Sequence, residues 1–202
     1  MRKIKILMVL AMTLLLTAKT ASAIPLSNLL PGGSTSSISS GNLEFSNFDF
    51  NPGVPTGAAA KADPSLIDVV PTPFGAEFGL EFIGTNGTWS ILTGVPGEKS
   101  TQTTTIKYDV TVLPPSQNLV SDNTLILFSA IALQIGSGVE VTGTVFDALN
   151  NQIATTTLTD LSGPLFLGQA VFASPQPLIT VNTTVKLFTG GEGSSGGYIK
   201  VS

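Results

Sequence analysis

The chain has 202 residues, with nine cationic and thirteen anionic side chains, no Cys and no His. Those absences exclude disulfides, lipid attachment at a Cys, thiol nucleophiles, zinc-thiolate sites, His-dependent triads and imidazole metal ligands. The 21 Gly and 13 Pro stay below the share that marks a low-complexity chain, and a hydrophobic content of 42% is enough to build a core.

Residues 1–23 read as a secretory signal peptide. Arg2, Lys3 and Lys5 form a positive start, Ile6 to Leu16 an apolar segment, and Ala21-Ser-Ala23 a small-x-small cleavage site. The apolar segment is shorter than the roughly 20 residues that a spanning helix needs. Cleavage after Ala23 leaves five Lys, no Arg and all thirteen carboxylates, a net charge of −8. Such a chain is a poor partner for nucleic acid and for anionic membranes. Residues 24–202 suit one domain, and no linker or internal repeat calls for a second.

Ser27 can cap a short helical turn through Leu30, ended by Pro31-Gly32. Gly41-Asn42 turns the chain into a strand that carries Leu43, Phe45, Phe48 and Phe50, and residues 51–64 read as a loop. Phe78, Leu80 and Phe82 alternate with Glu77, Gly79 and Glu81. Ile106, Tyr108, Val110 and Val112 alternate with Lys107, Asp109 and Thr111, giving one apolar and one wet face. Thr101 and Thr103 to Thr105 are assigned to wet positions. Residues 124–135 are apolar on both parities, which predicts one strand buried on both faces, with a buried helix as the alternative. Val139, Val141 and Val145 alternate with Glu140, Thr142 and Thr144, and Asn150-Asn151 predicts a hairpin into 152–159. Ile179, Val181, Val185 and Leu187 form the last long apolar row. Gly190 to Gly197 predicts a second hairpin, into a terminal strand at 198–201. The fold expected is all-β: a single antiparallel β-sandwich, jelly-roll-like, of about nine or ten strands.

Few motifs carry chemistry. Gly191-x-Gly193-x-x-Gly196 matches a dinucleotide fingerprint in letters, but a strand and not a helix follows it, so a hairpin loop is the reading. Glu77 and Glu81 sit four apart on a strand, about 13 Å, too far for glycosidase carboxylates. Asp122, Asp147, Asn150 and Asn151 offer turn oxygens that could take calcium, the single ion considered; otherwise no cofactor is expected. Trp89 is the sole Trp and reads as a core residue. Exposed, it or Tyr198 would make a stacking platform for sugar rings. An exported chain without Cys fits a bacterial product, in which the glycosylation sequons matched by Asn86-Gly-Thr88 and Asn182-Thr-Thr184 carry no weight.

The order of segments carries a resemblance. A signal peptide precedes Leu26-Ser-Asn-Leu-Leu30, a Ser/Gly stretch and Leu43-Glu-Phe-Ser-Asn-Phe-Asp-Phe50. Then come Gly79-Leu-Glu-Phe82, a Trp, Tyr108-Asp-Val-Thr-Val112 and Ser174-Pro-Gln-Pro-Leu-Ile-Thr-Val181. This resembles the secreted β-rich proteins of the bacterial PEP-CTERM group. The resemblance implies export, association with the exopolysaccharide or biofilm envelope and no general enzymatic activity, with no catalytic residue to carry over. Members end in a Pro-Glu-Pro motif, an apolar helix and a basic tip. The present sequence stops at Lys200-Val201-Ser202, so either a tail-less relative released after export or a truncated sequence is expected. Four functions are weighed: a non-enzymatic protein of the cell surface or extracellular matrix, a carbohydrate-binding module, a hydrolase whose carboxylates converge from distant positions to within about 10 Å in a cleft, or a self-assembling subunit. Polysaccharide or other envelope components are the partners expected.

Overall fold

Alternating apolar and polar side chains set two faces on each strand, and the apolar faces pack against each other. The structure is a computed structural model. It describes residues 22–74, 77–92, 98–114, 119–127, 130–132, 137–159, 166–189 and 198–201; side chains at 73, 74, 77, 92, 124–127, 130–132, 166, 167 and 198–201 are outside the description.

Fourteen strands appear among the described residues, more than the nine or ten expected. In chain order they are β1 (Ile24–Pro25), β2 (Ser37–Ser40), β3 (Leu43–Asn51), β4 (Ile67–Phe74), β5 (Glu77–Gly84), β6 (Ser90–Leu92) and β7 (Ser100–Val112). There follow β8 (Val120–Leu127), β9 (Ala130–Ala132), β10 (Gly138–Phe146), β11 (Gln152–Thr159), β12 (Phe166–Gln176), β13 (Leu178–Thr189) and β14 (Tyr198–Val201). The excess comes from pieces of two to four residues, such as β1, β6 and β9, which are too short to show alternation.

One layer is a six-stranded sheet in the order β11-β10-β13-β7-β3-β2. The facing elements are the three-stranded β1-β4-β5, the pair β12-β8 and the three-stranded β6-β14-β9. Every pairing is antiparallel, so the architecture is an antiparallel β-sandwich. β4 tolerates Pro71 and Pro73 because β1 reaches only Val69 and Asp68, which leaves that side of the strand without a ladder to break.

The hairpin across Asn150-Asn151 is present, with β10 and β11 in one register from Glu140 to Val145 and a shift before the pair Phe146–Gln152. Two other expectations fail. The terminal strand β14 pairs with β6 and β9 instead of β13, so β13 and β14 are not the two arms of a hairpin. The run 124–135 is not one strand: β8 pairs with β12, while β9 belongs to a different sheet beside β14. The burial expected on both faces of that run falls on side chains outside the described ones, and apolar composition carries no signal for a break between two sheets.

The helix α1 is a single turn, Leu26–Leu29, which buries Leu26 and Leu29. Pro25 precedes it and no side chain caps it, so Ser27 lies inside the helix and not at its cap. Gly33 closes the turn by donating to the Leu30 carbonyl at 2.8 Å. The Gly33 backbone lies so close to Asn28 that a Cβ would sit 2.3 Å from its carbonyl oxygen.

Inside the sandwich, Tyr108 is enclosed by Phe45, Phe48 and Phe82, with ring centroids 5.6 to 6.0 Å away. Phe45 and Phe48 are three residues apart yet both point inward. A β-bulge between Ser46 and Asp49 permits this, with Asn47 in the left-handed region at φ 53°. Burial pushes the Tyr108 hydroxyl up to about 12, partly offset by its hydrogen bond with Thr183. Towards the far end of β7 the inward positions become polar. Gln102 donates to the Ala60 and Thr88 carbonyls, and the Ser100 hydroxyl accepts from the Ala58 amide. The bonds to Ala58 and Ala60 tie the 52–63 loop to β7, and the bond to Thr88 ties the turn before β6 to the same strand. Thr104, assigned from sequence to a wet position, is buried at 1% exposure: it continues the inward row of Ile106 and Tyr108.

Candidate functional site

The outward face of the six-stranded sheet follows from the same alternation, read across strands. Four rows run along the hydrogen-bonding direction. Asn51, Thr105, Thr184, Thr142 and Thr157 stand opposite one another in turn across β3, β7, β13, β10 and β11. Beside them runs the row Asp49, Lys107, Asn182, Thr144 and Thr155. Flanking these two are Ser46, Asp109, Thr180, Phe146 and Gln152 on one side, and Thr103, Lys186, Glu140 and Thr159 on the other. Neighbours within a row are about 4.8 Å apart and successive rows about 6.7 Å.

Threonine suits this arrangement. Its branched Cβ restricts χ1, so each hydroxyl and methyl is held in place before any ligand arrives. The hydroxyls of Thr105 and Thr184 lie 3.1 Å apart, and those of Thr142 and Thr157 3.2 Å apart, two hydrogen-bonded pairs in one row. The face divides by charge. On the β3–β7 side the Asp109 carboxylate accepts from Asn47 Nδ2 at 2.8 Å and from the Thr180 hydroxyl at 2.6 Å. Glu44, Asp49 and Lys107 share this side, and Ser37 donates to Glu44 at 2.9 Å. On the β10–β11 side, Thr142, Thr144, Thr155, Thr157 and Thr159 form a block interrupted by a single charge, Glu140. Phe188 marks the far end of the face, with its ring over Gly138 and Lys186 Nζ 6.0 Å from the ring centroid.

A groove of about 440 Å³ adjoins the charged side. The 29–36 segment lines it together with Asn47 and Phe48.

The residues singled out from sequence are scattered over the molecule. Trp89 is buried at 3% exposure in the turn between β5 and β6, against Gly84, so it is no exposed platform for a sugar. Tyr198 opens β14, and its side chain lies outside the described ones. Asp147 and Asn151 do meet, within one turn. The Asp147 carboxylate accepts from the Leu149 amide at 2.9 Å, the Asn151 amide at 2.8 Å and Asn151 Nδ2 at 3.0 Å. The Asn151 bonds hold this carboxyl below its ordinary range, helped by the Leu149 amide. The three donors tie both oxygens to the hairpin itself, with Asn150 supplying the left-handed residue at φ 64°. That is a turn and not a calcium cage. Asp122 is on β8, where it accepts from Gln169 of β12. Among the described residues no group of three or more carboxylates is close enough to hold a metal ion.

Glu77 and Glu81 share β5, as the alternation required. Asn86 is exposed in the turn before Trp89, whereas Asn182 is half-buried at the centre of the threonine face. Ala21 and the 190–197 glycine segment lie outside the described residues; Ala23 is exposed. The threonine rows were only partly visible beforehand. Alternation marks which residues face outward on one strand, but the rows depend on register between strands as far apart as Thr105 and Thr184, 79 positions in sequence.

No protein-family model matches the chain, and no curated protein matches it. Among solved structures it is similar to TmCBM61, whose structure is a complex with β-1,4-galactotriose. The identity is 10% and the TM-score 0.35, over 76% of this chain and 84% of that one. At that distance the likeness bears on no individual residue here. Among the described residues no helix is long and apolar enough to cross a membrane.

Proposed function

We propose that this chain is a non-enzymatic exported protein of the bacterial cell surface or extracellular matrix, and that it meets neutral polysaccharide through the threonine face. The observation that carries the reading is the in-register row of threonines from Thr105 to Thr157 on the outer side of the sheet, half-buried at Thr105, Thr184 and Thr142 and exposed at Thr157. Hydroxyl and methyl groups in alternation match the polar edges and apolar faces of a sugar chain. The near-absence of charge on the β10–β11 side favours a neutral polymer over an ionic one. β1 begins at Ile24, directly after the cleavage site read at Ala21-Ser-Ala23, which supports an exported domain over 24–202. The PEP-CTERM resemblance adds the envelope as the setting.

The test is retention of the purified protein on insoluble neutral polysaccharides, together with a glycan array. Wild-type protein should be retained, and a T142V/T144V/T157V variant, which keeps shape and loses three hydroxyls, should elute at least tenfold more readily. Equal retention of both proteins, or none of either, removes the reading. Amino-terminal sequencing of the exported protein should begin at Ile24.

A further inference from the structure

We infer that the flank formed by β11 and β12 is a contact between two copies of this chain. In it, β11 of one copy pairs antiparallel with β11 of the other and extends the six-stranded sheet across a two-fold axis. The inference stands apart from the polysaccharide reading.

The sheet order ends at β11, whose backbone on the side away from β10 has no strand partner among the described residues. Edge strands are normally kept from pairing by short length, charge, Pro or a bulge that twists them away. β11 has eight residues, Gln-Ile-Ala-Thr-Thr-Thr-Leu-Thr, without a charge, a Pro or a Gly. Its one irregularity falls at its start, between the pairs Val145↔Ala154 and Phe146↔Gln152, and leaves 154–159 regular. β12 flanks it in the other layer, with the Gly168 backbone against Thr156 and Leu158. Its eleven residues are also uncharged, and Val171 stands 71% exposed on it.

Charge selects the occupant. Two copies of a chain with thirteen carboxylates repel each other wherever acidic surface meets acidic surface. The β11–β12 flank offers two uncharged strands side by side. The sequence of β11 also suits a two-fold axis, in which residue i meets j and j meets i. Centred on Thr156, the pairing sets Thr155 opposite the second copy's Thr157 on the outer face. This repeats the hydroxyl pair already present between Thr142 and Thr157 at 3.2 Å. On the inner face it sets the small Ala154 opposite the large Leu158.

Sedimentation of the purified protein over a wide concentration range tests this. A concentration-dependent dimer is expected. T155K/T157K places Lys opposite Lys at both pairs beside the axis and should weaken the dimer by about tenfold or more. Both side chains are exposed, so at concentrations where the wild type is monomeric the thermal transition of that variant should match it. Mixing T155K/T157K with T155E/T157E should restore a dimer. A wild-type monomer throughout the range, a lysine variant that dimerises as the wild type does, or a mixture that stays monomeric would each overturn the inference.

Discussion

The two flanks of the sandwich end in different ways. On one, β2 is four residues long, and β5 beside it carries Glu77 and Glu81. The Phe78 ring there covers the turn at Gly41, where a Cβ would lie 2.4 Å from the ring. On the other, β11 and β12 run for eight and eleven residues without a charge. The interior divides the same way. Phe45, Phe48, Tyr108 and Phe82 fill the space under β3 and β7, while Val141, Gly143, Val145, Thr156 and Leu158 fill it under β10 and β11. Large rings bury the most area, so the closed flank holds more of the stability and the open flank is left for contact.

Breaking the aromatic half should cost most. Phe48→Ala removes a side chain at 2% exposure that stacks on Tyr108, and should lower unfolding free energy by about 3–5 kcal/mol in urea titration. Alkaline pH strains the same cluster. The Tyr108 hydroxyl is raised in the folded chain from 10.0 to about 12, so above pH 10 the unfolded chain ionises first. Stability should be intact below pH 10 and decline by about 2–3 kcal/mol as pH climbs to 12, followed by denaturation at fixed pH steps. Gly41→Ala opens the closed flank more gently. Its φ of 58° strains any side chain by about 1–2 kcal/mol, and the new Cβ displaces the partly exposed Phe78 ring. Near-ultraviolet dichroism should report the ring movement. On the open flank, Thr157→Val should leave stability within about 0.5 kcal/mol, because the exposed hydroxyl pairs only with Thr142. A Thr157→Val cost as large as that of Gly41→Ala would end the division between the flanks.

Strand identity was legible where alternation ran long, in β7, β10 and β13, and the local hairpin across Asn150 declared itself through its turn residues. Pairings that join distant segments left no trace. β14 sits between β6 and β9 because backbone ladders accept any short extended piece, and three or four residues cannot advertise a partner. Thr104 misled because a hydroxyl residue reads as wet, although the parity of Ile106 already placed it inside. Its Oγ is buried without a hydrogen-bond partner among the described residues. Trp89 was legible as core, but its position in a turn was not. The threonine face was visible strand by strand and invisible as a lattice, since a row exists only once five strands are in register.

The bulge in β3 carries a last consequence. Ser46 faces Asp109 and Asp49 faces Lys107, so two residues, Asn47 and Phe48, share the place opposite Tyr108. Without Asn47 the strand would still send Phe45, Phe48 and Phe50 inward at period two. The core would thus be satisfied by a chain one residue shorter. What the additional residue supplies lies wholly on the surface: an amide that reaches Asp109, and one wall of the groove beside the 29–36 segment. In this strand, length is set by the outside of the molecule.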